Sequence, residues 1–281
     1  NTEHAASLFA LQEFGNIYSR LTNPTVGTLE NRLTELEDGA MCVALSSGTS
    51  SVMYSLINIM SQGDNFITDT QLYGGTFTMF TNILPEFGIT CKKVDTTDLE
   101  LVEKSIDKNT KAIYVETITN PGLVVADIEG LSKVAHSKGI PLIVDATFTT
   151  PALQKSLDFG ADIVVHSLTK WMSGHGRVIA GAVIEKGGFE WGNGNFPLYD
   201  TPDTSYGGMR WGHDLGDLSG VAYSLRLRTV PLRNLGANMS PETAFEVMSG
   251  LETLGLRMER HCENAKKAAH RRLLSLSLIH I

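Results

Sequence analysis

The sequence predicts an α/β fold, with a mostly parallel sheet carrying helices on both faces. Short apolar runs recur along the chain, and they alternate with stretches whose apolar residues keep helical spacing. Several runs end in polar residues, which is where open α/β sheets gather their ligands.

Through about Gly27 the chain is polar and irregular, with Asn23-Pro24-Thr25 marking a turn, so residues 1–27 read as an N-terminal arm. A large domain is expected over 28–235, and 236–281 reads as the start of a truncated C-terminal domain. Thr28 to Glu37 places Leu29, Leu33 and Leu36 on one helical face. Met41 to Leu45 is strand-like, Ser46-Ser47-Gly48-Thr49 opens a helix toward Met60, and Asn65 to Thr68 leads to a loop with Tyr73-Gly74-Gly75. Thr97-Asp98-Leu99-Glu100 matches a capping box before a helix to about Ile106. Lys111 to Thr117 reads as a strand ending near Glu116 and Asn120-Pro121. Asp127 to Ser137 has helical spacing and stops at Gly139. Apolar runs then end at Asp145 and His166, and Val178 to Ile184 reads as another strand. Phe189 to Trp211, rich in Gly, Pro, Asn and aromatics, reads as a long ordered loop. Ser219 to Arg228 and Ala244 to His270 read as helices.

The 281 residues are 42% hydrophobic and 19% charged, the proportions of a globular chain with a substantial core. A net charge of −8 argues against nucleic acid or an anionic membrane as partner. No apolar run approaches a membrane span, and the first residues carry no signal-peptide pattern. Cys42, Cys91 and Cys262 lack CxxC or metal-ligand spacing, which fits a reducing compartment and a cytoplasmic location. His166 and His175 read as structural, since no HxxxH or HExxH spacing supports a metal.

The chemistry is carried by two strand ends. Ile140-Pro141-Leu142-Ile143-Val144 ends in Asp145, and Val164-Val165-His166 leads through Ser167-Leu168-Thr169 to Lys170. An amine flanked by hydroxyls, paired with a carboxylate on another strand end, is what carbonyl chemistry on pyridoxal 5′-phosphate requires. The lysine forms the Schiff base, and the aspartate keeps the pyridine nitrogen protonated. Gly48-Thr49 at a helix start offers free N–H groups to a phosphate, although the same pair is also an ordinary helix start. Tyr73 offers a ring for stacking. Taken alone, Asp145 is as good a helix cap and Lys170 as good a solvated surface residue; their matched placement favours the site. The glycine-rich Ser173-Gly174-His175-Gly176 allows a ligand to approach closely.

These segments together resemble the Cys/Met-metabolism family of fold-type I PLP-dependent enzymes. The resemblance rests on Tyr18-Ser19-Arg20 with Asn23-Pro24-Thr25, Ser46-Ser47-Gly48-Thr49, and Leu72-Tyr73-Gly74-Gly75-Thr76. It continues in Glu116-Thr117 with Asn120-Pro121, Val144-Asp145-Ala146-Thr147, and His166-Ser167-Leu168-Thr169-Lys170 with Ser173-Gly174-His175-Gly176. It implies Lys170 as Schiff-base lysine and proton shuttle, Asp145 on the pyridine nitrogen, and Tyr73 stacked on the ring. Gly48, Thr49, Ser167 and Thr169 would hold the phosphate, with Asn120 on the ring-hydroxyl side. Tyr18 and Arg20 would reach the phosphate of a neighbouring subunit, in a dimer that shares its sites and is usually part of a tetramer. Gly192-Asn193-Gly194-Asn195-Phe196-Pro197, Pro202-Asp203, Ser205-Tyr206 and the opening Thr2-Glu3-His4-Ala5-Ala6 resemble the O-acetylhomoserine sulfhydrylase branch. Gly75 stands where methionine γ-lyases usually carry cysteine.

The implied reaction is γ-replacement on O-acetyl-L-homoserine by sulfide or a thiol. The alternatives are γ-elimination, or a PLP-binding fragment without turnover. Members of the family are longer, and the arginine that binds the substrate carboxylate would lie beyond Ile281. The stretch from His270 to Leu278 does not resemble the family and reads as a non-native tail. Ser167-Leu168-Thr169-Lys170 also spells the SxxK of penicillin-recognising serine enzymes, but the chain has neither Ser-Asp-Asn nor Lys-Thr-Gly.

Overall fold

The structure is a computed structural model. It describes residues 2–9 and 15–279, with side chains at 2–8 and 15–271. Parts of the expected arm (1 and 10–14) and of the expected tail (280–281, and the side chains from 272) lie outside the described residues.

Seven strands form one sheet: β1 (Met41–Leu45), β2 (Asn65–Asp69), β3 (Thr90–Val94), β4 (Thr110–Glu116), β5 (Leu142–Asp145), β6 (Ile163–His166) and β7 (Gly181–Glu185). Their order is β1-β7-β6-β5-β4-β2-β3. β2 to β6 run parallel, and β7 is antiparallel to both β1 and β6. Every residue of β4, β6 and β7 is buried. Such strands are covered on both faces, which is why they read as continuous apolar runs without alternation. Each fully buried Val or Ile here contributes about 1.5–3 kcal/mol, so truncating Val164 at the centre of β6 would be costly. β3 is the strand the apolar pattern does not predict. It is an edge strand, largely solvated, with Lys92 and Lys93 in the middle of Thr-Cys-Lys-Lys-Val.

The α-helices are α1 (Thr2–Phe9), α2 (Pro24–Glu37), α3 (Gly48–Ile57), α4 (Gly74–Thr78), α5 (Leu99–Ser105) and α6 (Ile128–Ser137). They continue as α7 (Thr150–Leu153), α8 (Pro197–Asp200), α9 (Ala222–Leu227), α10 (Arg233–Leu235), α11 (Pro241–Leu251) and α12 (Leu254–Ile279).

Several differ from the sequence expectations for identifiable reasons. The opening of the arm is helical in α1 rather than irregular. Asn23-Pro24-Thr25 starts α2 early: the Asn23 side chain accepts from the N–H groups of Thr25 and Val26, and Pro24 takes the first helical position. The cap of α5 is Asp98, which accepts from Leu101 N–H, while the Thr97 hydroxyl donates to Asp95. Tyr73 sits in the loop as the residue before α4, while Gly74 and Gly75 are helical. β7 begins three residues after Val178, because Ala180 is tied to the lysine turn. The region 244–270 is two helices, since Ser240 caps α11 and the chain turns at Glu252–Thr253.

The region 236–271 packs into the core through Met239, Val247, Leu254 and Met258, and Leu8 and Leu21 of the arm are buried. No helix among the described residues is long and apolar enough to cross a membrane.

Candidate active site at the carboxyl edge of the sheet

β4, β5 and β6 are parallel neighbours, so their final residues face the same edge. Glu116 pairs in register with Asp145, and Asp145 with Val165. The two strand ends singled out in the sequence therefore meet. Asp145 Oδ1 accepts from Thr147 N–H at 3.0 Å, and Oδ2 accepts from the Tyr114 hydroxyl at 3.2 Å. Tyr114 lies two residues before Glu116 and is fully buried. Burial and the neighbouring Asp145 hold its phenol well above the ordinary range, so it stays protonated and donates. Thr147 in turn accepts from Ser167 N–H at 2.7 Å, which links the end of β5 to the turn that carries Lys170.

Lys170 is exposed at the end of that turn, with Nζ 6.0 Å from the centre of the Tyr73 ring. Amine and aromatic face thus border the same space, and the Tyr73 side chain is 48% exposed and free to stack.

The start of α3 completes the edge. A Cβ on Gly48 would sit 2.5 Å from Ser167 Cβ and 2.7 Å from Ser167 Oγ, so only glycine lets this helix start come so close. Ser47 caps the helix through Ser50 N–H. The N–H groups of Gly48 and Thr49 are among those an α-helix leaves without an intrahelical partner. The hydroxyl of Ser167 lies beside this helix start.

Thr169 behaves differently from the expectation that it faces an anion. Its hydroxyl donates to Ala180 C=O at 3.1 Å and accepts Ala180 N–H at 3.0 Å, pinning the lysine turn to the start of β7. Its one proton is used within the chain.

Asn120 is exposed, next to a cis bond to Pro121. Tyr18 and Arg20 bond to each other on the exposed arm, where Arg20 Nε and Nη2 donate to the Tyr18 hydroxyl at 3.0 and 2.7 Å. His166 is buried against Glu37, and His175 bonds to Ser173 C=O.

Sequence reasoning assigned no role to Glu116. Its Oε1 accepts Tyr73 N–H at 2.7 Å and its Oε2 accepts Asn120 N–H at 2.9 Å, so one buried carboxylate holds both flanking loops. Burial pushes its pKa up to about 7, with Asp145 and Asp69 adding repulsion and the two N–H bonds opposing it. The available signal was an acid at the end of a strand that is buried throughout.

Comparison with known proteins places this edge in context. The family model described as Cys/Met metabolism PLP-dependent enzyme matches residues 1–271. The chain belongs to that family. It is 45% identical over 274 residues to the O-acetyl-L-homoserine sulfhydrylase of Leptospira meyeri, covering 96% of this chain and 62% of the relative. It is also 45% identical over 266 residues to the homocysteine synthase of Schizosaccharomyces pombe, covering 94% and 61%.

Among solved structures, a putative O-acetylhomoserine (thiol)-lyase from Campylobacter jejuni aligns with a TM-score of 0.91 at 41% identity, covering 96% of this chain and 66% of that one. That structure contains N′-pyridoxyl-lysine-5′-monophosphate. The chain spans about 62% of the length of the curated relatives it matches.

Proposed function

We propose that the chain carries the cofactor-binding part of a PLP-dependent enzyme that performs γ-replacement on O-acetyl-L-homoserine. The observation that carries this reading is the convergence of three features on one sheet edge. These are the Tyr114-supported Asp145, Lys170 beside the Tyr73 ring, and the Gly48–Ser167 contact that brings a helix N-terminus to the lysine turn. An acid, an amine with an aromatic face, and an anion cradle are the three holds that a phosphorylated pyridine aldehyde needs. The residues present fit it.

When bound, pyridoxal phosphate supplies the electron sink for carbanion chemistry at the amino acid. The chain supplies the rest. Lys170 holds the cofactor and moves protons at substrate Cα and Cβ. Asp145, oriented by Tyr114 and Thr147, keeps a proton on the ring nitrogen. Tyr73 stacks on the ring and assists release of acetate from Cγ, after which sulfide or a thiol adds at Cγ. O-acetyl-L-homoserine and sulfide thus give homocysteine and acetate. Gly48, Thr49 and Ser167 hold the phosphate; Thr169 joins them only by giving up its bond to Ala180. Asn120 lies on the ring-hydroxyl side.

Tyr18 and Arg20 serve the phosphate of a second copy, in a homodimer within a cytoplasmic tetramer. Their exposed position on the arm supports that reading. The arm 1–27, the large domain 28–235 and the remainder 236–281 are the units of this proposal.

The test is product analysis with O-acetylhomoserine and sulfide, alongside the absorbance of the lysine-bound cofactor. Lys170→Ala should lose that absorbance and at least about 10²–10⁴-fold of the rate. A Lys170→Ala protein that keeps the absorbance refutes the assignment. An oxo acid and ammonia formed without sulfide would identify elimination instead.

A further inference from the structure

The turn after β6 raises a question of hydrogen-bond accounting. Ser167 C=O accepts Lys170 N–H at 3.2 Å, Leu168 C=O accepts Ser173 N–H at 3.0 Å, and Lys170 C=O accepts Gly174 N–H at 2.9 Å. Thr169 C=O accepts the Ser173 hydroxyl at 3.1 Å. This leaves the carbonyls of Trp171 and Met172, the last of a helix-like turn, where partial negative charge collects. Both are taken by one side chain from far along the sequence. Arg257, on α12, donates from Nη1 to Trp171 C=O at 2.5 Å and from Nη2 to Met172 C=O at 3.3 Å. The same Nη2 donates to Gly250 C=O at 2.7 Å, and Nε donates to the Thr253 hydroxyl at 3.0 Å.

Two glycines are shaped around this contact. Gly174, at φ +71°, closes the turn in the left-handed region, and a Cβ there would lie 2.4 Å from Arg257 Nη1. A Cβ on Gly250 would lie 2.3 Å from Ser173 C=O and 2.5 Å from Met172 C=O. Any side chain at either position would push the guanidinium or α11 off the turn. The seat is therefore built from both sides, by residues that the site itself does not use.

Resting on the reading of Lys170 as the cofactor-bearing lysine, we propose that Arg257 is a positioning residue for it. Its guanidinium caps the carbonyl end of the Lys170 turn and so fixes where the amine points. The region after residue 236 thereby contributes to the site at the large domain's edge without touching the reacting atoms. Removing the guanidinium leaves two carbonyls of the turn without partners and frees the segment that carries Lys170. α12 keeps other anchors, in buried Leu254 and Met258 and in the Trp171–His261 ring contact at 4.7 Å. Loss of Arg257 therefore loosens the turn more than it undocks the helix.

The experiment incubates the chain with pyridoxal phosphate, fixes the product with borohydride, and quantifies pyridoxylated Lys170 by peptide mass. Backbone hydrogen exchange is read in parallel. Arg257→Ala should label Lys170 about tenfold more slowly or worse, as the loss of charge-assisted hydrogen bonds implies. The Ser173 and Gly174 amides should exchange faster, while those of β4 and β5 are unchanged. Arg257→Lys should recover part of both effects.

Labelling of Arg257→Ala at the wild-type rate overturns the proposal. So does a uniform rise in exchange across the sheet that lysine does not rescue, because that is a purely structural role. If Arg257→Ala does not fold, Gly174→Ala takes its place under the same outcomes, since its methyl occupies the guanidinium's position. A wild-type chain that labels elsewhere than Lys170 sinks the reading of the site and this role with it.

Discussion

Two buried glutamates at opposite edges of the sheet show how one physical situation serves two ends. Glu116 closes β4 at the edge where the site lies, in register with Asp145. Glu185 closes β7, which runs the other way, and pairs in register with Ile163 at the start of β6. Both are almost fully buried, and burial pushes both up from 4.5 to about 7. Their partners differ. Glu185 accepts Trp191 Nε1–H and Ser224 N–H, and Trp191 is stacked between Tyr199 and Tyr223. Glu116 accepts two loop N–H groups and faces Asp145 and Asp69. One carboxylate holds a packed aromatic cluster together, and the other ties two loops to the carboxyl end of β4.

The contrast is broken most severely by Glu185→Ala. It leaves an indole and a backbone N–H buried without acceptors and opens a cavity among close-packed rings. A loss of about 3–5 kcal/mol is expected. Urea unfolding of this variant beside Glu116→Ala orders the two, with Glu185→Ala the more damaging. Equal losses would mean that the aromatic cluster adds nothing to the cost.

What could be read in advance divides along the same line. Strand ends at Asp145 and His166 were legible because parallel strands covered on both faces read as unbroken apolar runs. β3 was not, because a solvated edge strand with adjacent lysines lacks both the run and the alternation. The break between α11 and α12 was hidden because Leu251, Leu254 and Met258 continue the helical spacing across it. At the site, Lys170, Asp145, Tyr73, Gly48 and Ser167 were named from residue type and placement, and their convergence followed from strand order. Glu116 and Arg257 went unassigned because their distant partners are backbone groups, which carry no side-chain signature. Thr169 was expected to face an anion, yet its proton goes to Ala180, a contact set by where β7 begins.

Titration sharpens the comparison next. A carboxyl whose folded pKa exceeds its unfolded value binds more protons when folded. Its contribution is therefore fully present below about 4.5 and lost as pH rises to about 7. Each glutamate is worth on the order of 3 kcal/mol across that window. Unfolding free energy of the cofactor-free chain should fall between these limits and level off above them. Glu185→Gln and Glu116→Gln should each remove their own share of the slope. Stability that climbs through the same interval would contradict the burial-driven shift at both sites.

The smallest expected effect separates the two roles most cleanly. Glutamine keeps one carbonyl acceptor and replaces the other with an amide nitrogen that cannot accept an N–H. Either Gln variant therefore gives up one hydrogen bond that the ionised carboxylate makes, about 1 kcal/mol locally, while the neutral amide also removes the burial penalty that weakens the whole fold above pH 7. The location of the loss tells the two apart. In Glu116→Gln, the Tyr73 or Asn120 amide should exchange faster while the near-ultraviolet dichroism of the tryptophans is unchanged. In Glu185→Gln that dichroism should change, since Trp191 loses its acceptor or turns within its stack, and the two loop amides should keep their protection. The same 1 kcal/mol would then appear as loop opening at one edge of the sheet and as loosened packing at the other. Ionised Glu116 has two strong acceptors and protonated Glu116 has one, so the loops should tighten from pH 6 to 8 even as the fold as a whole grows less stable. A wild-type chain whose Tyr73 and Asn120 amides, corrected for intrinsic exchange, lose protection over that range would show that the bonds do not depend on the charge.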